Sequence, residues 1–243
     1  MSGHSKWANI QHRKNAQDAR RGRVFTRLVR EVATAARVAG GDPDSNPRLR
    51  LALEKANAAN VPKDNLDRAI KRATGEAEGQ IIEEVTYEGY APGGVAVLVE
   101  CVTDNRNRTV ADVRHAFSKY GGNLGADGSV AYLFNRTGLI RLAADVSEER
   151  VFEAALEAGA EDIVRDEDGA FEVLTDPDEF EAVRDALKKA GLTPEEAEVG
   201  MRPATWVDLD AEGGEKLVKL LDALDDLEDT QQVHVNARFP AEA

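Results

Sequence analysis

Near residue 80 the spacing of apolar side chains changes, and that change constrains the architecture more than any other feature of the chain. Before it, apolar residues recur every three or four positions, as on one face of a helix. After it they alternate, as on one face of a strand. Phe25, Leu28, Val29, Val32, Ala35, Ala36 and Ala39 form a stripe that predicts a helix over 23–39. Gly40-Gly41 stops it, because glycine tolerates the left-handed conformation at a helix end. Asn46-Pro47 reads as an N-cap followed by proline in the first helical position. The helix it opens has Leu49, Leu53 and Ala56 on its apolar side. Pro62 opens a third helix, with Leu66, Ala69, Ile70 and Ala73 inward, Lys63, Arg68, Lys71 and Arg72 outward, and Gly75 at its end. The leading segment is a small helical bundle, preceded over 1–22 by a polar, loosely held arm.

Ala77-Glu78-Gly79-Gln80 forms a short linker. Strands over 82–90 and 94–102 make a hairpin around Pro92-Gly93-Gly94. A helix follows near 106–119, and a third strand near 129–135 carries Val130, Tyr132 and Phe134 in alternation. From 138 another unit begins. It runs from a strand over 138–143 to a helix capped by Ser147, then to strands over 161–166 and 170–174. Between these lies Asp168-Gly169, a residue pair suited to a type I′ turn. Asp176-Pro177-Asp178-Glu179 reads as a capping-box start, and a last strand lies near 196–202. The order is βαββαβ, the ferredoxin-like pattern. The tail adds a helix through Leu217, Leu220, Leu221, Leu224 and Leu227, and a strand alternating at Val233, Val235, Ala237 and Phe239. These two elements complete the ββαβ of 82–135. The expected fold class is multidomain α+β: an N-terminal helical bundle followed by two α+β domains, the last one inserted in the middle one. The domains are 1–78, 79–136 with 204–243, and 137–203. Three domains in simple series is the alternative.

Charge follows the same division. Residues 1–75 carry a net +9 and the remainder a net −23, so the overall −14 hides a basic end. A basic helical end on an acidic body fits a protein that touches a polyanion with one region and keeps it off the rest. No apolar run approaches the roughly 20 residues of a membrane span, and the N-terminus lacks the apolar core of a secretory signal. Neither a membrane nor a cofactor is expected as a partner. The one cysteine, Cys101, rules out an intramolecular disulfide and a cysteine-based zinc site. These features predict a reduced, cytoplasmic protein. They leave the oligomeric state open, with a monomer admissible.

The basic arm is the first candidate for function. Lys6, Arg13, Lys14, Arg20, Arg21, Arg23 and Arg27 are candidate phosphate partners, which give affinity with little sequence readout. Trp7 is placed to stack on an unpaired base, and His12 lies among the cations. His4, Gln11 and Asn15 are secondary candidates for hydrogen bonds to base edges or 2′-hydroxyls. The bland alternative packs Trp7 on the bundle and leaves the charges as a solvated face. The joint over 40–46 is longer than a helix-turn-helix turn, and no helix begins with an Arg/Asn/Gln cluster for major-groove readout. Backbone and shape recognition of structured RNA fits at least as well as a dedicated DNA reader. Arg106 and Arg108, at a strand-to-helix junction, are secondary candidates for phosphate or for a neighbouring domain.

Catalytic readings are weak. His4, His12, His115 and His234 show no metal-ligand spacing on a shared helix face, so no metal site is expected. Cys101 reads as a small buried hydrophobe. The glycine pairs 93–94 and 121–122 stand in no nucleotide-binding fingerprint.

Ser2-Gly3-His4-Ser5-Lys6-Trp7-Ala8-Asn9-Ile10-Gln11-His12-Arg13-Lys14 resembles the opening signature of the YebC/PmpR family. Asn57-Ala58-Ala59-Asn60-Val61-Pro62-Lys63-Asp64-Asn65 resembles its second helical motif. Tyr87-Glu88-Gly89-Tyr90-Ala91-Pro92-Gly93-Gly94, Thr103-Asp104-Asn105-Arg106-Asn107-Arg108-Thr109 and Gly121-Gly122-Asn123-Leu124-Gly125 resemble motifs of its middle domain. The resemblance covers nearly the whole chain. It implies three domains and a non-enzymatic regulator of gene expression. Bacterial members are described as DNA-binding transcriptional regulators and also as factors acting on ribosomes stalled at proline-rich stretches. Mitochondrial relatives are translational activators of cytochrome oxidase subunit I. The implied partner is nucleic acid, either DNA or ribosomal RNA, with transfer RNA on the ribosome as a further candidate. The rival reading is an interaction scaffold whose basic arm binds an acidic protein.

Overall fold

The computed structural model describes residues 21–75, 83–166 and 168–239. The first of these segments holds three helices, α1 (Arg21–Ala39), α2 (Pro47–Ala58) and α3 (Lys63–Ala73). They close around Val32, Ala35, Ala36, Leu49, Ala52, Ala56, Val61 and Leu66. Four of those eight are alanines, so the helices approach closely with little side-chain volume between them. Asn46 holds the joint between α1 and α2. Its Oδ1 accepts from Leu49 N–H at 3.0 Å, and its Nδ2 donates to the carbonyls of Ala35 and Gly40 at 2.9 and 2.8 Å. One side chain thus caps α2 and bonds two carbonyls at and just beyond the end of α1. The α2–α3 joint contains no glycine, and Asn60 takes the left-handed conformation there, with φ 59°.

The next segment, joined by one late strand, builds an antiparallel sheet in the order β3-β1-β2-β9. Its strands are β1 (Glu83–Ala91), β2 (Val95–Thr103), β3 (Asn123–Leu124) and β9 (Thr230–Val235). Alternation along β2 sends Val95, Val97, Val99 and Cys101 to one face. There they pack on Val113 and Phe117 of α4 (Arg106–Lys119) and on Leu217, Leu220, Leu221 and Leu224 of α7 (Ala211–Asp225). Val97 pairs with Val235 and Val99 with Val233, so the chain leaves this sheet and returns to it much later.

Between departure and return lies a second sheet, in the order β5-β6-β4-β7. It comprises β4 (Phe134–Leu142), β5 (Asp162–Arg165), β6 (Phe171–Thr175) and β7 (Glu196–Pro203), with α5 (Glu148–Glu157) and α6 (Phe180–Lys189) between strands. All pairings are antiparallel. This is the ferredoxin-like βαββαβ arrangement, with Ile140, Leu142, Phe171, Val173, Phe180, Val183 and Leu187 in its core. A short parallel pair, β8 (Val207–Asp208) and β10 (Ala237–Arg238), lies beside the return path.

Three local expectations change. Residues 129–135 are not a separate strand: Ala131–Leu133 is a 3-10 turn, and Phe134 begins β4. The cause is Glu88, a buried carboxylate on β1. It accepts from the N–H groups of Gly128, Val130 and Ala131 at 2.6, 2.7 and 2.7 Å, which holds the backbone in a turn. Burial alone would push this carboxyl up, but the three N–H donors hold it below the ordinary value. The third strand of the middle sheet is instead the two-residue β3. In Asp168-Gly169 only Gly169 has positive φ, 83°, so the pair does not form a type I′ turn. Finally, Asp176 does not cap α6. Its Oδ1 accepts from Asp178 N–H within a turn, and the helix starts at Phe180 without a side-chain cap.

Candidate nucleic-acid interface

Lys6, Trp7, His12, Arg13, Lys14 and Arg20, together with His4, Gln11 and Asn15, lie outside the described residues. Arg21 and Arg23 occupy the first turn of α1. Arg27 donates to the carbonyl of Asp225 at the end of α7, and its guanidinium lies 3.9 Å from the Asp225 carboxylate. Arg106 lies 3.6 Å from Glu83, with both side chains about half exposed or more. Arg108 is bound to Asp104 at 2.9 Å and to Asp229 at 2.8 Å. Where side chains are described, then, these candidate cations face carboxylates of the protein itself.

The same holds for most cations of α1 and α2. Arg30 reaches Asp229 and Glu228, each at 3.1 Å. Arg48 bridges Glu31 of α1 and Glu84 of β1, at 2.8 and 2.5 Å. Burial weakens the Arg48 charge, but its hydrogen bonds to the two glutamates more than compensate and raise its pKa. Arg50 meets Glu181 of α6 at 2.6 Å, and Lys55 meets Glu198 of β7 at 3.4 Å. Glu54 reverses the pattern and receives Arg184 and Lys188 of α6. Ion pairs therefore tie the helical bundle to both acidic domains, and the cations in them are not available to phosphate without competition.

Helix α3 differs. Lys63, Arg68, Lys71 and Arg72 are all exposed, and no salt bridge to a carboxylate is found for any of them among the described residues. Arg68 donates to the Asp64 carbonyl and to Asn65 Oδ1, which steadies its guanidinium without neutralising it. Two acids, Asp64 and Asp67, share the helix and leave it a net +2. The inward face carries Leu66 and Ala69, so packing fixes which way the cations point. The 3.6-residue period placed these four side chains outward, but the charge count alone gave no reason to rank them above the arginines of α1. Their distinction is that no carboxylate partner is found for them among the described residues, which depends on tertiary structure.

The reactive side chains elsewhere are quiet. Cys101 is buried, and burial pushes its thiol up to about 12. His234 is buried with Nε2 3.5 Å from Glu100. No group of three or more metal-ligating side chains is found among the described residues. No helix among them is long and apolar enough to cross a membrane.

The comparison with known proteins covers both halves of the chain. A family model described as the TACO1/YebC protein N-terminal domain matches residues 5–76. One described as the TACO1/YebC second and third domain matches residues 82–237. A probable transcriptional regulatory protein of Methylococcus capsulatus is 64% identical, over 98% of this chain and 96% of its own length. One of Nitrosococcus oceani is 58% identical, over 100% and 98%. The crystal structure of a conserved hypothetical protein from Aquifex aeolicus aligns with a TM-score of 0.82 at 49% identity, covering 93% of each chain.

Proposed function

The chain belongs to the TACO1/YebC family, and from that premise we propose that it is a non-enzymatic regulator of gene expression that binds nucleic acid through its helical domain. The observation that carries this reading is the sorting of charge. Arg27, Arg30, Arg48 and Arg50 of α1 and α2 are committed to carboxylates, whereas Lys63, Arg68, Lys71 and Arg72 leave the exposed face of α3 with a net positive charge. The arm residues Lys6, Arg13 and Lys14 add charge on the same domain. The proposed domains are 1–78, 79–136 with 204–243, and 137–203. The latter two are acidic and repel phosphate, which confines contact to the basic end.

Structured RNA is the favoured polymer, because none of the described helices of the bundle begins with a base-reading cluster and backbone contact needs none. That includes a role in translation at the ribosome. Transcriptional regulation on DNA is the second reading, favoured by the names of the relatives from Methylococcus capsulatus and Nitrosococcus oceani.

The test is a salt titration of the full chain on an RNA hairpin and on duplex DNA of matched length. About six phosphate contacts give a log–log slope near −4 to −5. Replacing Lys63, Arg68, Lys71 and Arg72 together by alanine should flatten that slope by about 3. An unchanged slope would remove α3 from the interface. A protein that bound neither polymer would overturn the reading.

A further inference from the structure

An open groove of about 350 Å3 runs between α1 and α3. Phe25 and Val29 of α1, with the buried Val61 and Ala69, give it an apolar lining. Arg68 and Arg72, one helical turn apart, and Asn65 give it a polar, cationic side. Arg30 also lines it, but its guanidinium is held by Glu228 and Asp229. The free cationic character therefore comes from α3.

Apolar surface beside two guanidinium groups matches one chemistry closely. A nucleobase offers a flat face that desolvates readily, and the phosphate attached to it offers oxygens that guanidinium groups bind in pairs. The volume is at the small end of ligand sites, which suits one nucleotide and not an extended chain. A base stacked inside a duplex cannot reach such a floor, but bases in loops and bulges of folded RNA can. We propose that this groove holds one unpaired RNA nucleotide, with its base on Phe25 and Val29 and its phosphate on Arg68 and Arg72. The assignment rests on the nucleic-acid reading above and adds to it a preference for unpaired structure.

The experiment compares binding of the full chain to an RNA hairpin with a single-nucleotide bulge and to the same hairpin fully paired, with the corresponding DNA hairpins alongside. The bulged hairpin should bind about tenfold more tightly. Ala69→Trp, which fills the groove, should abolish the difference between the two hairpins. Arg68→Ala, on an exposed side chain with no part in the core, should reduce the difference too. It decides the matter if circular dichroism shows Ala69→Trp to be unfolded. Iodouracil placed at the bulge should crosslink to the peptide containing Phe25.

Equal affinity for bulged and paired hairpins, with both bound, would overturn this inference and leave the proposed function intact. The same holds if the preference survives in both variants, or if the crosslink falls outside the groove, as it would were another segment of the chain or a protein partner its occupant. A preference for bulged DNA without one for bulged RNA would overturn the assignment to RNA. Failure to bind either hairpin would overturn both readings.

Discussion

Arg30 Nη1 lies 3.1 Å from Asp229 Oδ1, joining a helix of the bundle to the turn between α7 and β9. Asp229 is 4% exposed and serves more than one element. Arg108 Nη2 reaches its other oxygen at 2.8 Å, and the hydroxyls of Thr109 and Thr103 reach the same oxygen at 2.7 and 3.2 Å. Burial pushes this carboxyl up. Hydrogen bonds from Arg108 and Thr109 and the charges of Arg108 and Arg30 outweigh burial and hold it below its ordinary 3.8. Because the folded-state value is the lower one, the contribution to stability is complete above 3.8 and is lost as pH falls through the lowered value. Asp229→Asn should cost about 1–3 kcal/mol at neutral pH, measured by urea unfolding. The gap between variant and parent should close on acidification. A gap that stays constant through that range would show that the carboxylate charge is not what stabilises the site.

Arg48 and Arg50 carry the same formal charge as Arg68 and Arg72 but should behave differently towards nucleic acid. Each of the former pair meets a glutamate of another domain, Glu84 and Glu181. Joint replacement of Arg48 and Arg50 by alanine should leave the salt slope of RNA binding within about one unit of the parent, because neither group displaces counterions from phosphate. It should also lower the urea midpoint of the full chain, since two ties between the bundle and the other domains are gone. A slope change as large as that from the α3 substitutions would place these arginines in the interface.

The contrast between those pairs shows where sequence reasoning stops. The bundle, the hairpin and the return of the chain to the middle sheet are legible because they depend on periodicity and element order, which are local. Asn46 is legible as a cap because its partner, Leu49, lies three residues away. The use made of each arginine is not legible. Arg50 and Glu181, or Arg30 and Asp229, are far apart in the chain, and a charge count treats all cations alike. Residues 130–134 fail for a related reason. Val130, Tyr132 and Phe134 alternate like a strand, but a carboxylate some forty residues earlier captures the backbone at Val130 and Ala131. What distinguishes the groove, a cationic edge beside apolar surface, exists only after α1 and α3 have packed.

Glu88 should therefore be a stability determinant out of proportion to its place on a strand. Glu88→Gln keeps the size but replaces a charged acceptor of three N–H groups with a neutral amide. The expected loss is about 1.5–3 kcal/mol, read as a lower urea midpoint without a change in slope. Amide exchange at Gly128, Val130 and Ala131 should accelerate ahead of the rest of the middle sheet. As with Asp229, the folded-state value is lowered, so this contribution also fades as pH falls below the ordinary carboxylate range. Unchanged exchange at those three amides would mean that the turn is held by something other than the carboxylate.

Cys101 gives a test of the middle core that is independent of nucleic acid. Its side chain lies in the apolar layer between β2 and the helices α4 and α7, with the sulfur 4.0 Å from the Thr230 hydroxyl. Burial raises the thiol to about 12, so at pH 8 almost none is thiolate and reagents reach it only when the sheet opens. Alkylation of the native protein should be at least about a hundredfold slower than of the urea-unfolded chain, and its rate should follow the opening equilibrium. Asp229→Asn should accelerate it, because the carboxylate's bonds to Arg108, Thr109 and Thr103 hold in place the turn whose Asp229 carbonyl accepts from Val102 N–H beside Cys101. Rapid alkylation of the native protein would contradict the burial of β2 and, with it, the order of the middle sheet.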